Sequence, residues 1–194
     1  MFRAENRRAF LSVVLISVMV AATANGPVMN LSVKLMQDIG MHGLGSNAVD
    51  LLMQASCLCS TVVGGLLVDY AGMRRLMVTG ALGLVVGLGG LAIAFSSGLV
   101  PLAAVSLLAV SAMYCIGPGI CVFLMKAALL PERVRAVGGG AASFLSHAVS
   151  ASVAAVFLPA VSSFGHVAVF LALALFAVAL ACGSFVLLPR CREP

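Results

Sequence analysis

Six long apolar runs without any Asp, Glu, Lys or Arg most constrain what this chain can fold into. They lie at about residues 9–33, 51–68, 76–100, 101–125, 136–162 and 165–189, and all the charged residues fall between them. Each run is close to the ~20 residues that cross a bilayer core as a helix. Because backbone polar groups cannot stay unpaired in lipid, runs of this length must be helical. The sequence therefore predicts an all-α membrane protein, with six transmembrane helices in a single domain over residues 1–194.

Composition excludes the main soluble alternatives. Of the 194 residues, 62% are apolar and only 9% are charged, against roughly 25% charged in an average soluble domain. The net charge is +5, but the eleven Lys and Arg residues are scattered and the chain has no Trp, so no nucleic-acid-binding face is expected. The six cysteines lack C-x-x-C spacing and are interpreted as packing residues. No acid pair, metal cluster or nucleophile–base set falls inside the runs, so we expect no enzyme activity, cofactor or metal.

The distribution of Lys and Arg predicts the orientation of the helices. With six spans, ten basic residues fall on one side of the membrane and only Lys34 falls on the other. Cytoplasmic loops carry the excess of basic residues, so both termini are predicted to be cytoplasmic. Mitochondrial, plastid and plasma membranes all stay open as the host membrane.

The first run has a second interpretation, as a secretory signal peptide. Arg3, Arg7 and Arg8 precede an apolar core, and Ala22-Thr23-Ala24 has the small residues of a cleavage site. The apolar run nevertheless resumes as far as Val33, and its removal would leave five spans and mix the two sets of basic residues. We therefore interpret this segment as a helix.

Two polar features interrupt the apolar runs. In the first run, Asn25-Gly26-Pro27 predicts a helix break, which either exposes backbone groups to a solute or is a simple kink. In the fifth run, His147 is the one titratable side chain deep in a span, with Ser143, Ser146 and Ser150 at helical spacing around it. This stripe predicts either a substrate or proton site, or hydrogen bonds to an adjacent helix.

Several motifs resemble one transporter family. The segment from Gly65 to Arg75 resembles the signature loop G-x-L-x-D-R-x-G-R-R of the major facilitator superfamily, and it matches at Gly65, Leu67, Asp69, Gly72 and Arg74. Gly117-Pro118-Gly119 resembles the Gly-Pro-Gly of the tenth helix in sugar porters, the branch that contains the facilitative glucose transporters. Residues 131–135 are similar to the P-x-x-x-R loop after that helix, and Pro189 keeps the proline of a later motif. The order of these motifs resembles the C-terminal half of a sugar porter.

This resemblance implies a fold, a function and a set of site residues. The fold is half of a major facilitator fold, built as two inverted three-helix repeats. Its function is transport of a small polar solute, such as a sugar, together with a second six-helix half from another chain or another copy. The implied substrate-binding residues are Asn25, Asn30, Cys57, Phe123, Ser146 and His147. The implied cytoplasmic gating latch is Gly65, Asp69, Gly72, Arg74, Arg75, Glu132 and Arg135, and the implied helix breaks are Gly26, Pro27, Gly117, Pro118 and Gly119.

The sequence departs from the family at positions that recognise a hexose. The family's glutamine pair falls near Ala22 and Thr23, and its second-helix asparagine falls on Cys57. The tenth-helix glutamate and tryptophan fall on Cys115 and Phe123. Because hydroxyl recognition depends on such amides and on an aromatic face, these substitutions count against hexose binding. A non-transporting membrane subunit or scaffold, derived from a transporter half, stays open as the alternative.

Overall fold

The computed structural model describes residues 4–23, 25–40, 44–130 and 132–187, and every regular element within these ranges is helical. The helices are α1 (Ala4–Ala22), α2 (Asn25–Asn30), α3 (Ser32–Asp38), α4 (Leu44–Ala71), α5 (Met73–Ser97), α6 (Val100–Tyr114), a π-helix (Cys115–Gly119), α7 (Ile120–Leu129), α8 (Glu132–Phe164) and α9 (His166–Leu187). The predicted all-α fold is confirmed.

Five helical stretches of the described residues are long and apolar enough to cross a membrane. They are Gly45–Ala71, Met73–Ser97, Val100–Leu129, Arg135–Phe164 and His166–Phe185. The first predicted span differs from these, because the shorter apolar helix Phe10–Ala22 is followed by the separate helices α2 and α3. Proline fits the first turn of a helix without losing a hydrogen bond, whereas in the interior it removes one. Helix α2 accordingly begins just before Pro27. With five to six apolar helices, the chain is an integral multi-pass membrane protein.

The segment between the first two predicted spans is also mostly helical. It forms α3 and the first turns of α4, where Ser32 Oγ donates a hydrogen bond to the Asp50 carboxylate. The Asp38 carboxylate lies 3.2 Å from His166 Nε2 at the start of α9. The His166 ring stacks on Phe95, with the ring centroids 4.4 Å apart. Contacts of Asp50 and Asp38 therefore join α3 to α4 and to α9 at this end of the bundle.

Helix α5 lies at the centre of the packing, against α9, α6 and the π-helix. One cluster of buried side chains includes Leu88, Leu107 and Phe170, and a second includes Met77 and Met125. The turn from α4 into α5 is short because Gly72 adopts φ +79°, a left-handed conformation that glycine reaches without strain. The signature-like loop is thus a tight turn.

The spans differ strongly in how much of their surface the fold covers. In the most apolar window of each span, 50% of residues are buried in Met73–Ser97, 44% in Val100–Leu129 and 39% in His166–Phe185. The corresponding shares are only 17% in Gly45–Ala71 and 6% in Arg135–Phe164. Helices α4 and α8 therefore lie at the edges of the bundle and leave long apolar faces uncovered.

Candidate functional site

A stripe of serines on α8 contacts the neighbouring helices. Lys126 Nζ of α7 donates a hydrogen bond to Ser143 Oγ at 2.9 Å. One turn further along α8, Ser146 Oγ donates to the backbone carbonyl of Ser17 in α1 at 3.3 Å. The stripe predicted from sequence is therefore a polar seam that joins α8 to α7 and α1.

The same seam reaches the break in the first span. A Cβ added to Gly26 would lie 3.3 Å from Ser150 Oγ, so α2 and α8 approach closely at this point. Asn30 at the end of α2 is exposed. The side chains of Asn25 and Pro27 lie outside the described residues. The structure thus brings the helix break against the serine stripe.

His147 is exposed on α8. Its Nδ1 lies 2.8 Å from the carbonyl oxygen of Ser143, one turn earlier on the same helix. A carbonyl oxygen only accepts hydrogen bonds, so Nδ1 carries the hydrogen in this contact. The contact orients the imidazole against its own helix.

Phe123 presents an open aromatic face beside this seam. Its side chain is 68% exposed, and the Lys126 ammonium lies 5.4 Å from its ring centroid. Since Lys126 also contacts Ser143, the three side chains form one continuous patch on α7 and α8. Aromatic rings of this kind bind the C–H faces of small ligands and also attract cations.

The predicted break at Gly117-Pro118-Gly119 is a π-helix inside a continuous span. Pro118 has no N–H to donate, and the five residues Cys115–Gly119 form the wider π turn. A Cβ on Gly117 would lie 2.7 Å from Gly80 Cα of α5. The glycine is therefore required for close contact between two backbones, and the helix continues through the motif into α7.

Cys57 on α4 lies where α4 packs against α6 and the π-helix. One turn before it, Ser111 Oγ donates to the Met53 carbonyl at 3.4 Å. Cys57 and Cys115 are free thiols, and the two elements that carry them, α4 and the π-helix, pack against each other.

The residues of the implied latch lie at the helix ends around the Gly72 turn and the start of α8. Arg74 donates from Nη2 to the Phe185 carbonyl, and its guanidinium lies 4.4 Å from the Phe185 ring centroid. Arg135 Nε donates to the Leu130 carbonyl at 3.3 Å. Asp69 and Glu132 are exposed. The structure therefore brings Arg74 to the end of α9, and neither acid contacts it among the described residues.

Gly65 and Arg75 complete the set of latch positions. A Cβ on Gly65 would lie 3.6 Å from the Ile120 side chain, which is ordinary contact distance. The Arg75 carbonyl accepts a hydrogen bond from Thr79 Oγ1 at 3.0 Å. These contacts attach the signature-like loop to α7 and to the first turns of α5.

Lys126 and Ser17 are polar groups that sequence reasoning missed. By sequence Lys126 counts with the basic loop residues, but in the structure it is only 9% exposed. The sequence feature that could have indicated this burial is the apolar segment 127–130, which continues the helix beyond the lysine. Ser17 Oγ is buried without a hydrogen-bond partner among the described residues, and nothing in the sequence distinguishes it from the other serines. No group of three or more metal-ligating side chains occurs in the described parts of the chain.

The chain matches one protein-family model over almost its whole length. Residues 1–193 match the family model described as "Sugar (and other) transporter". No curated protein sequence gives a significant match.

Two solved structures of XylE share the fold. A double-tryptophan mutant of XylE matches with a TM-score of 0.83 and 19% identity, over 92% of this chain and 40% of that chain. XylE described as the major facilitator superfamily proton:xylose symporter, bound to 6-bromo-6-deoxy-D-glucose, matches with a TM-score of 0.76 and 18% identity, over 87% of this chain and 38% of that chain. The chain thus spans about 40% of the length of these structures.

Proposed function

This chain belongs to the sugar transporter family of the major facilitator superfamily, and from that premise we propose that it transports a small polar solute as one six-helix half of a transporter. The main support is the patch formed by Phe123, Lys126 and Ser143, which combines an exposed ring with polar groups inside an apolar bundle. His147 adjoins the same patch through its contact with Ser143. An aromatic face with a few polar groups is the usual composition of a small-ligand site.

A second six-helix half completes the transport path in this proposal. The long uncovered faces of α4 and α8 support it, because the other three spans bury much more of their surface. The chain also spans only about 40% of the XylE structures that share its fold. The second half comes from another chain or another copy, and both termini of this chain are cytoplasmic, as the positions of Lys and Arg favour.

The signature-like loop acts in this proposal as the cytoplasmic gating latch. Arg74 joins the start of α5 to the end of α9, and Asp69 and Glu132 are exposed at neighbouring helix ends. Exposed acids of this kind are available to partners on the second half. The latch would therefore hold the cytoplasmic side closed through contacts between halves.

Uptake into proteoliposomes tests the transport proposal. The chain is purified with any companion it retains, reconstituted, and assayed for uptake of D-xylose and D-glucose. We expect His147→Ala to reduce uptake by about tenfold, the effect of losing one hydrogen bond in a site. Ser152→Ala is the matched control, because Ser152 lies on the same helix and donates only to the Ala148 carbonyl one turn earlier in that helix.

The alternative function is a non-transporting membrane subunit. One observation favours it: Thr23, at a position of the family's glutamine pair, is buried and donates to the Val20 carbonyl at 2.7 Å. This hydroxyl therefore makes a hydrogen bond within the end of α1 and is not available to a ligand. Recovery of the chain only within a larger assembly, with no uptake by that assembly, would establish this alternative.

A further inference from the structure

Lys126 is a buried cation that has no charged partner among the described residues. Its side chain is 9% exposed, and its contacts are the Ser143 hydroxyl at 2.9 Å and the Phe123 ring at 5.4 Å. Among the residues that the structure describes, it meets no carboxylate. Removing an ammonium from water costs several kcal/mol unless an opposite charge compensates it. The described part of the fold therefore supplies no counter-charge for this ammonium.

The groups around Lys126 need hydrogen-bond acceptors. The ammonium has three N–H donors, and Ser143 Oγ accepts one of them. On α1, Ser17 Oγ is fully buried and has no hydrogen-bond partner among the described residues. The Ser17 carbonyl accepts a hydrogen bond from Ser146, which lies one turn along α8 from Ser143. An excess of unpaired donors in a buried region is the pattern expected of a site for an anion.

The cluster also has a route to the outside. Phe123 and His147 are both exposed, and each is linked to Lys126, directly or through Ser143. A solute that stacks on the Phe123 ring would place a substituent within reach of the ammonium. By contrast, a lysine that extends to lipid headgroups keeps its charged end in the interface, which does not fit a side chain covered by α8.

From these observations we propose that Lys126 recognises an anionic group, a carboxylate or a phosphate, on the transported solute. This inference rests on the proposed transport function and narrows the substrate to acidic solutes, with a sugar acid as the simplest example. The ammonium binds the anion, Ser143 lies beside it, and Phe123 supports the apolar face of the solute.

D-glucuronate and D-glucose are the probes, because they differ only by the carboxylate that the proposal requires. Binding of each is measured by equilibrium dialysis on the purified full-length chain with any companion it retains. We expect glucuronate to bind the wild-type protein about ten- to hundredfold more tightly than glucose, the effect of one or two charge-assisted hydrogen bonds. Lys126→Gln should abolish this preference for glucuronate over glucose, whereas Lys126→Arg should keep most of it.

Controls separate this inference from loss of the fold and from the transport proposal. The elution profile and melting temperature of each variant report folding, and Ser152→Ala should bind both probes as the wild type does. If Lys126→Gln does not fold, the wild-type preference for glucuronate, and its competition by inorganic phosphate, decides the question.

Three results would overturn the proposal. Equal binding of both probes by the wild type would remove the anion site and leave sugar transport intact. Binding of neither probe would count against both proposals. A phospholipid that co-purifies with the wild type and is lost in Lys126→Gln would assign the ammonium to a lipid headgroup instead of a solute.

Discussion

Gly80 marks the point where two spans come closest. A Cβ built on Gly80 would lie 2.7 Å from Gly117 Cα and 2.7 Å from Pro118 Cδ. Neither group can move without shifting the π-helix. We therefore expect Gly80→Ala to lower the free energy of unfolding by about 1–3 kcal/mol, the usual cost of overpacking a core, measured as a lower melting temperature in detergent.

Gly89→Ala is the matched control for this prediction. Gly89 lies on the same helix, and a Cβ there would meet nothing within 4 Å. Because alanine favours helix over glycine by about 1 kcal/mol, this variant should be as stable as the wild type or slightly more stable. Equal melting temperatures for Gly80→Ala and the wild type would show that α5 and the π-helix are not packed as described.

Single residues also show what the sequence could and could not predict. The repeat of Gly80, Gly83 and Gly87 indicates a face for close helix contact, and all three glycines do approach the α6 and π-helix span. The burial of Lys126 was not predictable in this way. Its charge places it with the loop residues, whereas the burial depends on how α8 crosses α7, which is a property of the tertiary structure.

At the scale of the helices, the hydropathy pattern predicted the spans better than it predicted their interruptions. Length and hydropathy identify a span because the backbone groups of an apolar run in the bilayer must hydrogen-bond within that run. The consequence of a proline depends on its neighbours. Pro27 starts a new helix, whereas Pro118 sits in a π-helix that continues into α7. Composition alone does not distinguish these two outcomes, since packing against other helices decides between them.

The contact between α4 and the π-helix makes a testable prediction. Cys57 on α4 and Cys115 in the π-helix are free thiols on two elements that pack against each other. We expect a mild disulfide oxidant, such as oxidised glutathione, to join them, with each bond formed reducing one glutathione disulfide to two thiols. Mass spectrometry of the digested protein should then find peptides from α4 and the π-helix cross-linked.

Two other cysteines provide the control for this cross-link. Cys59 on α4 and Cys182 on α9 are exposed and have no cysteine partner in the described structure. Both should stay outside any intramolecular cross-link in the oxidised monomer, and Cys57→Ser should abolish the cross-link. A cross-link from Cys59 to Cys115 would mean that α4 is rotated relative to the structure.

At the scale of the whole molecule, the sequence predicted the class of protein but not its outer surfaces. The apolar fraction and the positions of the charges suffice to indicate a multi-pass membrane protein. Lipid, the core and a second bundle all accept the same apolar side chains, so composition cannot show which helix face meets which of them. The unequal burial of the spans makes that distinction, because α4 and α8 bury a much smaller share of their residues than the other spans do.

A second six-helix half on α4 and α8 would make these faces sensitive to added bulk. Val62 on α4 is 66% exposed, and Val86 on the central helix α5 is 75% exposed. Lipid chains rearrange around a large side chain, whereas a packed helix interface resists it at a cost of about 1–3 kcal/mol. We therefore expect Val62→Trp to dissociate the complex and Val86→Trp to leave it intact, as measured by native mass spectrometry of protein extracted in mild detergent. If both variants keep the wild-type complex mass, the α4 face meets lipid, and the second half does not dock there.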